Sequence, residues 1–237
     1  MRKPWRKGLL RPHREMPSCE TRVPYPSTLG QHACPNLHAG AVMSDLLLPL
    51  LVFAVATSFS PGPNTLMLAA SGANYGFRRT LPHILGITLG WPFLLFAVAL
   101  GLGVVFRDWP ALHHVLKIVG AGYLLYLAWR IAMAGRAKAE TAKPLSLLQA
   151  AAFQWVNPKA WMIAVGAAAA YITPQSGLVS QALVVTLVFA AVSVFATSTW
   201  ALFGAGIGRL LGTPERLRAF NLAMGGLLAV SVVGFFL

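Results

Sequence analysis

Six runs of apolar residues, at about 46–70, 81–106, 111–134, 148–171, 179–205 and 217–237, take up most of the chain and limit what it can become. Crossing a bilayer core takes roughly 20 apolar residues in a helix, and each run reaches that length. In hydrocarbon, every backbone amide and carbonyl must be satisfied within a helix or a closed barrel. No run alternates apolar and polar residues as barrel strands do, and Ala, Leu, Val and Gly dominate. The pattern predicts an all-α polytopic membrane protein with six transmembrane helices. Composition agrees: 11% of residues are charged, against about 25% in soluble domains.

The net charge of +13 does not imply nucleic-acid binding. Counted with Arg130 and Arg218 at the adjoining run ends, the loops between runs one and two (Arg78, Arg79), three and four (Arg136, Lys138, Lys143), and five and six (Arg209, Arg216) hold nine Lys and Arg residues, and the other two loops hold one. Cytoplasmic loops carry such an excess. Both termini are therefore expected on the outer, periplasmic side.

Residues 1–42 differ from the rest. They hold six prolines and seven basic residues and no apolar run. Such a segment cannot bury a core and reads as a disordered basic, Pro-rich extension. It lacks the apolar stretch of a secretory signal. Cys19 and Cys34 lie here near His32 and His38, in a spacing that matches no zinc pattern. Met43 opens a stretch that reads like the start of a membrane protein, so 43–237 is expected to be the six-helix domain. Positive charges upstream of it would fall on the wrong side of the membrane.

Two runs are interrupted. The first contains "SPGPNTLML", with Pro61, Gly62, Pro63 and Asn64 in succession; the fourth contains "FQWVNPKAW", with Gln154, Asn157, Pro158 and Lys159. Proline removes an amide donor and clashes with the turn before it. An orphaned carbonyl in hydrocarbon costs several kcal/mol, so a break is tolerated only against protein or a watery cavity. There, free carbonyls suit an ammonium, and the amides opening the next half-helix suit a carboxylate. Asn64 is placed to cap that half-helix. These eight residues form the candidate substrate site; a plain structural kink is the other reading of SPGPN. Lys159 falls near the middle of its run, where a lysine costs about 2.5–3.5 kcal/mol, so it should face a polar interior.

The breaks also suggest a repeat. Runs three and six each set a glycine pair ahead of a Leu-rich stretch, in "KIVGAGYLLYLAW" and "NLAMGGLLAVSVV". Matching one with four and three with six gives two inverted three-helix repeats, a plan that places transporter sites at broken helices. His83 reads as a satisfied histidine at the membrane interface. Gly86 and Gly90 make a small-xxx-small packing face. No Asp or Glu lies inside a run, which argues against a carboxylate proton relay.

The segments "SPGPNTLMLAASGANYGFRRTLPHILGITLG" and "FQWVNPKAWMIAVGA" closely resemble the LysE/RhtB family of bacterial amino-acid exporters, over about residues 46–237. The family motifs fall on Pro61, Gly62, Pro63 and Asn64, and on Asn157, Pro158 and Lys159. The resemblance implies a multi-pass protein of the bacterial inner membrane, a secondary transporter that exports amino acids on the proton motive force. It implies no organic cofactor. The expected partners are an amino acid and the lipid bilayer, with no nucleic acid; a homo-oligomer stays open.

Two other classes compete. A membrane enzyme would need a nucleophile with its base, paired carboxylates or metal ligands inside the runs. Ser193, Thr197, Ser198 and Thr199 have no His or Asp partner nearby in sequence. A non-transporting scaffold would gain nothing from orphaned carbonyls.

Overall fold

The computed structural model describes residues 39–103, 110–134, 143–173 and 177–233. The expectations for residues 1–38, including Cys19, Cys34, His32 and His38, lie outside them. Among the described residues there are seven α-helices and no strand: α1 Ala39–Phe59, α2 Pro63–Ala97, α3 Pro110–Met133, α4 Leu147–Val156, α5 Pro158–Tyr171, α6 Leu178–Leu211 and α7 Pro214–Ser231. A π-helical turn, Val98–Leu102, continues α2. Helix α1 begins four residues upstream of Met43.

Each interrupted run is two helices. Prolines at 61 and 63 end α1 and start α2, and Asn157, with extended backbone, separates α4 from α5. Three segments are long and apolar enough to cross a membrane: 63–102, 114–133 and 178–211. Large apolar side chains face outward around the bundle, among them Leu89, Ile118, Phe195 and Val230. A soluble monomer rarely exposes so much apolar surface. This is a helical membrane protein.

The first expected loop, residues 71–80, is not a loop. Helical turns continue to Gly76, which takes φ 75° and ψ 166° and turns the chain. Twelve residues of straight helix would span about 18 Å, yet Ser71 Oγ and His83 Nδ1 are 3.2 Å apart. Only glycine enters that backbone region cheaply. The fifth loop is also short. Helix α6 ends on Gly212, at φ 63°, and Thr213 Oγ1 accepts from Arg216 N to cap α7. Helix α4 opens with a reciprocal cap between Ser146 and Gln149.

Apolar packing gives little drive between helices in lipid, so small residues that let backbones touch carry the association. A Cβ on Gly72 would strike the Ala201 carbonyl, and one on Gly204 or Gly208 the carbonyl of Ala69 or Ala73. These three glycines lock α2 against α6. Gly86 and Gly90 likewise admit α4, meeting Leu147 and Ala151. Near Gly76, Asn74 and Asn221 exchange hydrogen bonds, and Asn221 also donates to the Ala134 carbonyl. That junction gathers the ends of α3 and α6, the start of α7 and the turn in α2. The basic residues Arg78, Arg79, Arg130, Arg209, Arg216 and Arg218 flank it, at one end of the bundle.

Candidate functional site: two helix breaks that meet

At the first break the chain lacks two amide donors, since Pro61 and Pro63 have none. Local side chains replace part of the loss. Ser60 Oγ donates to the Thr57 carbonyl at 2.9 Å. Thr65 Oγ1 accepts from Gly62 N at 2.8 Å. Thr65, not Asn64, therefore closes the start of α2, and this frees Asn64 to reach elsewhere.

The carbonyls of Ser60 and Pro61 find their donor 99 and 98 residues away. Lys159 Nζ donates to Ser60 O at 2.8 Å, to Ser60 Oγ at 2.7 Å and to Pro61 O at 3.2 Å. Lys159 is the second residue of α5. In that first turn a cation opposes its own helix dipole, whereas the C-terminal end of α1 attracts it, an effect of about 0.3–1 kcal/mol. The ammonium thus bridges the two breaks. Gly62 makes room for it: a Cβ there would lie 2.8 Å from Lys159 Cδ and 2.9 Å from Nζ.

A second bridge runs beside the first. Asn64 Nδ2 donates to Gln154 Oε1 at 2.8 Å, and Gln154 Nε2 donates back to Asn64 Oδ1 at 3.2 Å. Gln154 is fully buried and also donates to the Ala150 carbonyl. At the second break Trp161 Nε1 donates to the Trp155 carbonyl at 2.8 Å. Asn157 is buried, and its Oδ1 has no hydrogen-bond partner. Between the breaks lies a cavity of about 60 Å³, lined by Asn64, Gln154, Asn157 and Lys159 and walled by Trp91 and Phe189. Among the described residues no three His, Cys, Asp or Glu side chains come close enough to hold a metal ion.

The LysE type translocator family model matches residues 55–237 of this chain. The chain belongs to that family. It is 30% identical over 193 residues to the cysteine/O-acetylserine efflux protein of Escherichia coli K12, covering 81% of this chain and 97% of that protein. The protein of the same name in Shigella sonnei strain Ss046 matches to the same extent, and that of Escherichia coli O1:K1 is 29% identical over the same coverage. No solved structure matches the chain.

As a LysE-type translocator, the protein is a membrane transporter and not an enzyme. The structure brings six of the eight sequence-predicted site residues, Gly62, Asn64, Gln154, Asn157, Lys159 and the Pro61 carbonyl, around the two breaks. Pro63 and Pro158 serve as first residues of α2 and α5.

Several site residues escaped the sequence. Ser60 and Thr65 carried a local signal, a hydroxyl and a capping spacing on either side of the prolines. Phe189 and Ser193 reach the cavity from α6, which has no break, and Trp91 from the part of α2 beyond the turn at Gly76; nothing local marks them. His83 departs from expectation. It is fully buried, Ser71 Oγ pairs with its Nδ1, and its Nε2 has no partner. The turn at Gly76 folds the start of the second run under the first, which takes His83 out of the interface.

Proposed function

We propose that this protein exports small amino acids from the bacterial cytoplasm across the inner membrane, driven by the proton motive force. The substrates named for its relatives, cysteine and O-acetylserine, are the first candidates. The reading rests on one observation above all: Lys159 holds its ammonium on carbonyls that a helix break has freed. Those carbonyls form a site for a cation, and Lys159 occupies it from within. The α-ammonium of a substrate would take its place there. The displaced Lys159 would then face the substrate carboxylate, a charge-assisted contact. Asn64 and Gln154, which now satisfy one another, can each turn a donor or acceptor to the same ligand.

The meeting of the two breaks supports six spans in two inverted repeats, with the site at the repeat interface. Clustering of the basic residues at one end supports that end as cytoplasmic, with both termini outside. The cavity of about 60 Å³ holds only about two waters, at about 30 Å³ each as in the liquid. Loading an amino acid therefore requires the halves to rock apart, as alternating access demands.

The test is accumulation of labelled amino acids, with O-acetyl-L-serine and L-cysteine included, by everted membrane vesicles with and without the protein. Energised uptake of at least one, abolished by a protonophore, is expected. No uptake of any amino acid would sink the proposal.

A further inference from the structure

A second cavity, of about 260 Å³, opens at the basic end of the bundle. Arg130 and Lys143 line it together with His83, Ser71, Asn74 and Tyr75. We infer that this cavity is a separate carboxylate-binding site, where Arg130 and Lys143 receive the carboxylate of an amino acid before it reaches the breaks. The inference rests on the export reading and adds a first binding station to it.

Four observations carry it. The first is size. At about 30 Å³ per water, this cavity of about 260 Å³ has room for an amino acid where the smaller one, of about 60 Å³, does not. The second is charge. Two cationic side chains line it, and no carboxylate among the described residues does. The third is the buried His83. Its Nε2 lacks a partner, and a buried polar group left so in a native fold calls for an explanation such as a ligand. The fourth is position. Met67 lines the large cavity, Leu68 and Ile87 line the small one, and all three belong to one apolar cluster with Ile84 and Phe153. A layer of packed side chains separates the two chambers, so a solute at the basic end is held one layer short of Lys159. Orientation in the membrane alone would need neither a cavity nor a buried imidazole in its lining.

Arg130 is half-buried and Lys143 exposed, so their replacement should leave the fold intact. The experiment is equilibrium binding of radiolabelled O-acetyl-L-serine and L-serine to the full chain in lipid nanodiscs, each competed by its carboxamide. Arg130→Gln and Lys143→Gln should each weaken binding about tenfold, the effect of one charge-assisted hydrogen bond, and should narrow the preference for carboxylate over amide. Lys159→Met should keep a carboxylate-dependent component that Arg130→Gln then removes.

Four results would overturn the inference. One is wild-type affinity and amide discrimination in both folded glutamine variants, as a role confined to membrane orientation predicts. Another is complete loss of binding in Lys159→Met, which would place the carboxylate at the breaks alone and leave the export reading standing. The third is an anionic lipid that copurifies with wild type and not with Arg130→Gln while amino-acid affinity is unchanged, since the occupant would then be a headgroup phosphate. No carboxylate-dependent binding to the wild type would also overturn it, while the vesicle assay decides export on its own.

Discussion

The ammonium of Lys159 lies 2.8 Å from the carbonyl oxygen of Ser60, 99 residues earlier in the chain. The contact joins the C-terminal end of one half-helix to the first turn of another. It uses a side chain that would otherwise be a liability in the bilayer to satisfy carbonyls that would otherwise be orphans.

Replacing that lysine should separate transport from folding. Lys159→Met leaves the acceptors on Ser60 and Pro61 without their donor, at about 1–3 kcal/mol. It also removes a central lysine, which costs about 2.5–3.5 kcal/mol. The two effects oppose, so expression and Tm should change little while export falls by at least about tenfold, the loss of one charge-assisted contact. Tm and vesicle uptake measured on the same preparation decide it. Wild-type export by a folded Lys159→Met protein would make the lysine structural.

Gly62→Ala tests the same contact without touching its partners. The Gly62 backbone is extended, with φ −179°, so alanine meets no conformational strain. Its methyl would instead push on the far end of Lys159, which can swing away. Export should fall several-fold, with a stability loss under about 1 kcal/mol, well below the usual cost of overpacking. An active Gly62→Ala protein would show that the lysine need not sit where it does.

The Asn64–Gln154 pair should show coupling in a double-mutant cycle. Asn64→Ala strands the buried Gln154 amide, Gln154→Ala strands the half-buried Asn64 amide, and the double variant strands neither. A coupling energy of about 0.5–3 kcal/mol is expected, read from unfolding of the purified protein. Additive effects would mean that the two amides do not depend on one another.

Gly204 and Gly206 differ by half a turn of α6 and should differ in tolerance. A Cβ at 204 meets the Ala69 carbonyl, and one at 206 meets nothing within 4 Å. Gly204→Ala should cost about 1–3 kcal/mol, as backbone cannot yield like a side chain. Gly206→Ala should be neutral, or stabilising by about 0.5–1 kcal/mol through helix propensity. Equal melting temperatures would contradict the close packing of α2 on α6.

Orientation is open to thiol labelling once Cys19 and Cys34 are replaced. Thr173 and Arg218 are both exposed. Thr173→Cys should react with an impermeant reagent from the periplasm, and Arg218→Cys only after the membrane is opened. The reverse pattern would invert the proposed topology.

The sequence by itself determined the class and the breaks. Apolar runs of bilayer length permit little but helices, and a proline cannot donate a hydrogen bond in any fold, so SPGPN and NPK had to interrupt theirs. It also marked Lys159, because a charge at mid-run needs polar company wherever it lies. Which company was decided by tertiary structure. Asn64 could have capped its own helix. Thr65 does so instead, because the crossing of α2 with α4 brings Gln154 within reach of Asn64. His83 looked interfacial until the turn at Gly76 carried it inside, a single left-handed residue that apolar patterning does not register. Arg130 and Lys143 read as loop charges, and only the packing of α2 beside the end of α3 sets them around one cavity. Contacts between residues 90 to 99 positions apart depend on where whole helices cross, and that is settled by how closely glycine faces let backbones approach.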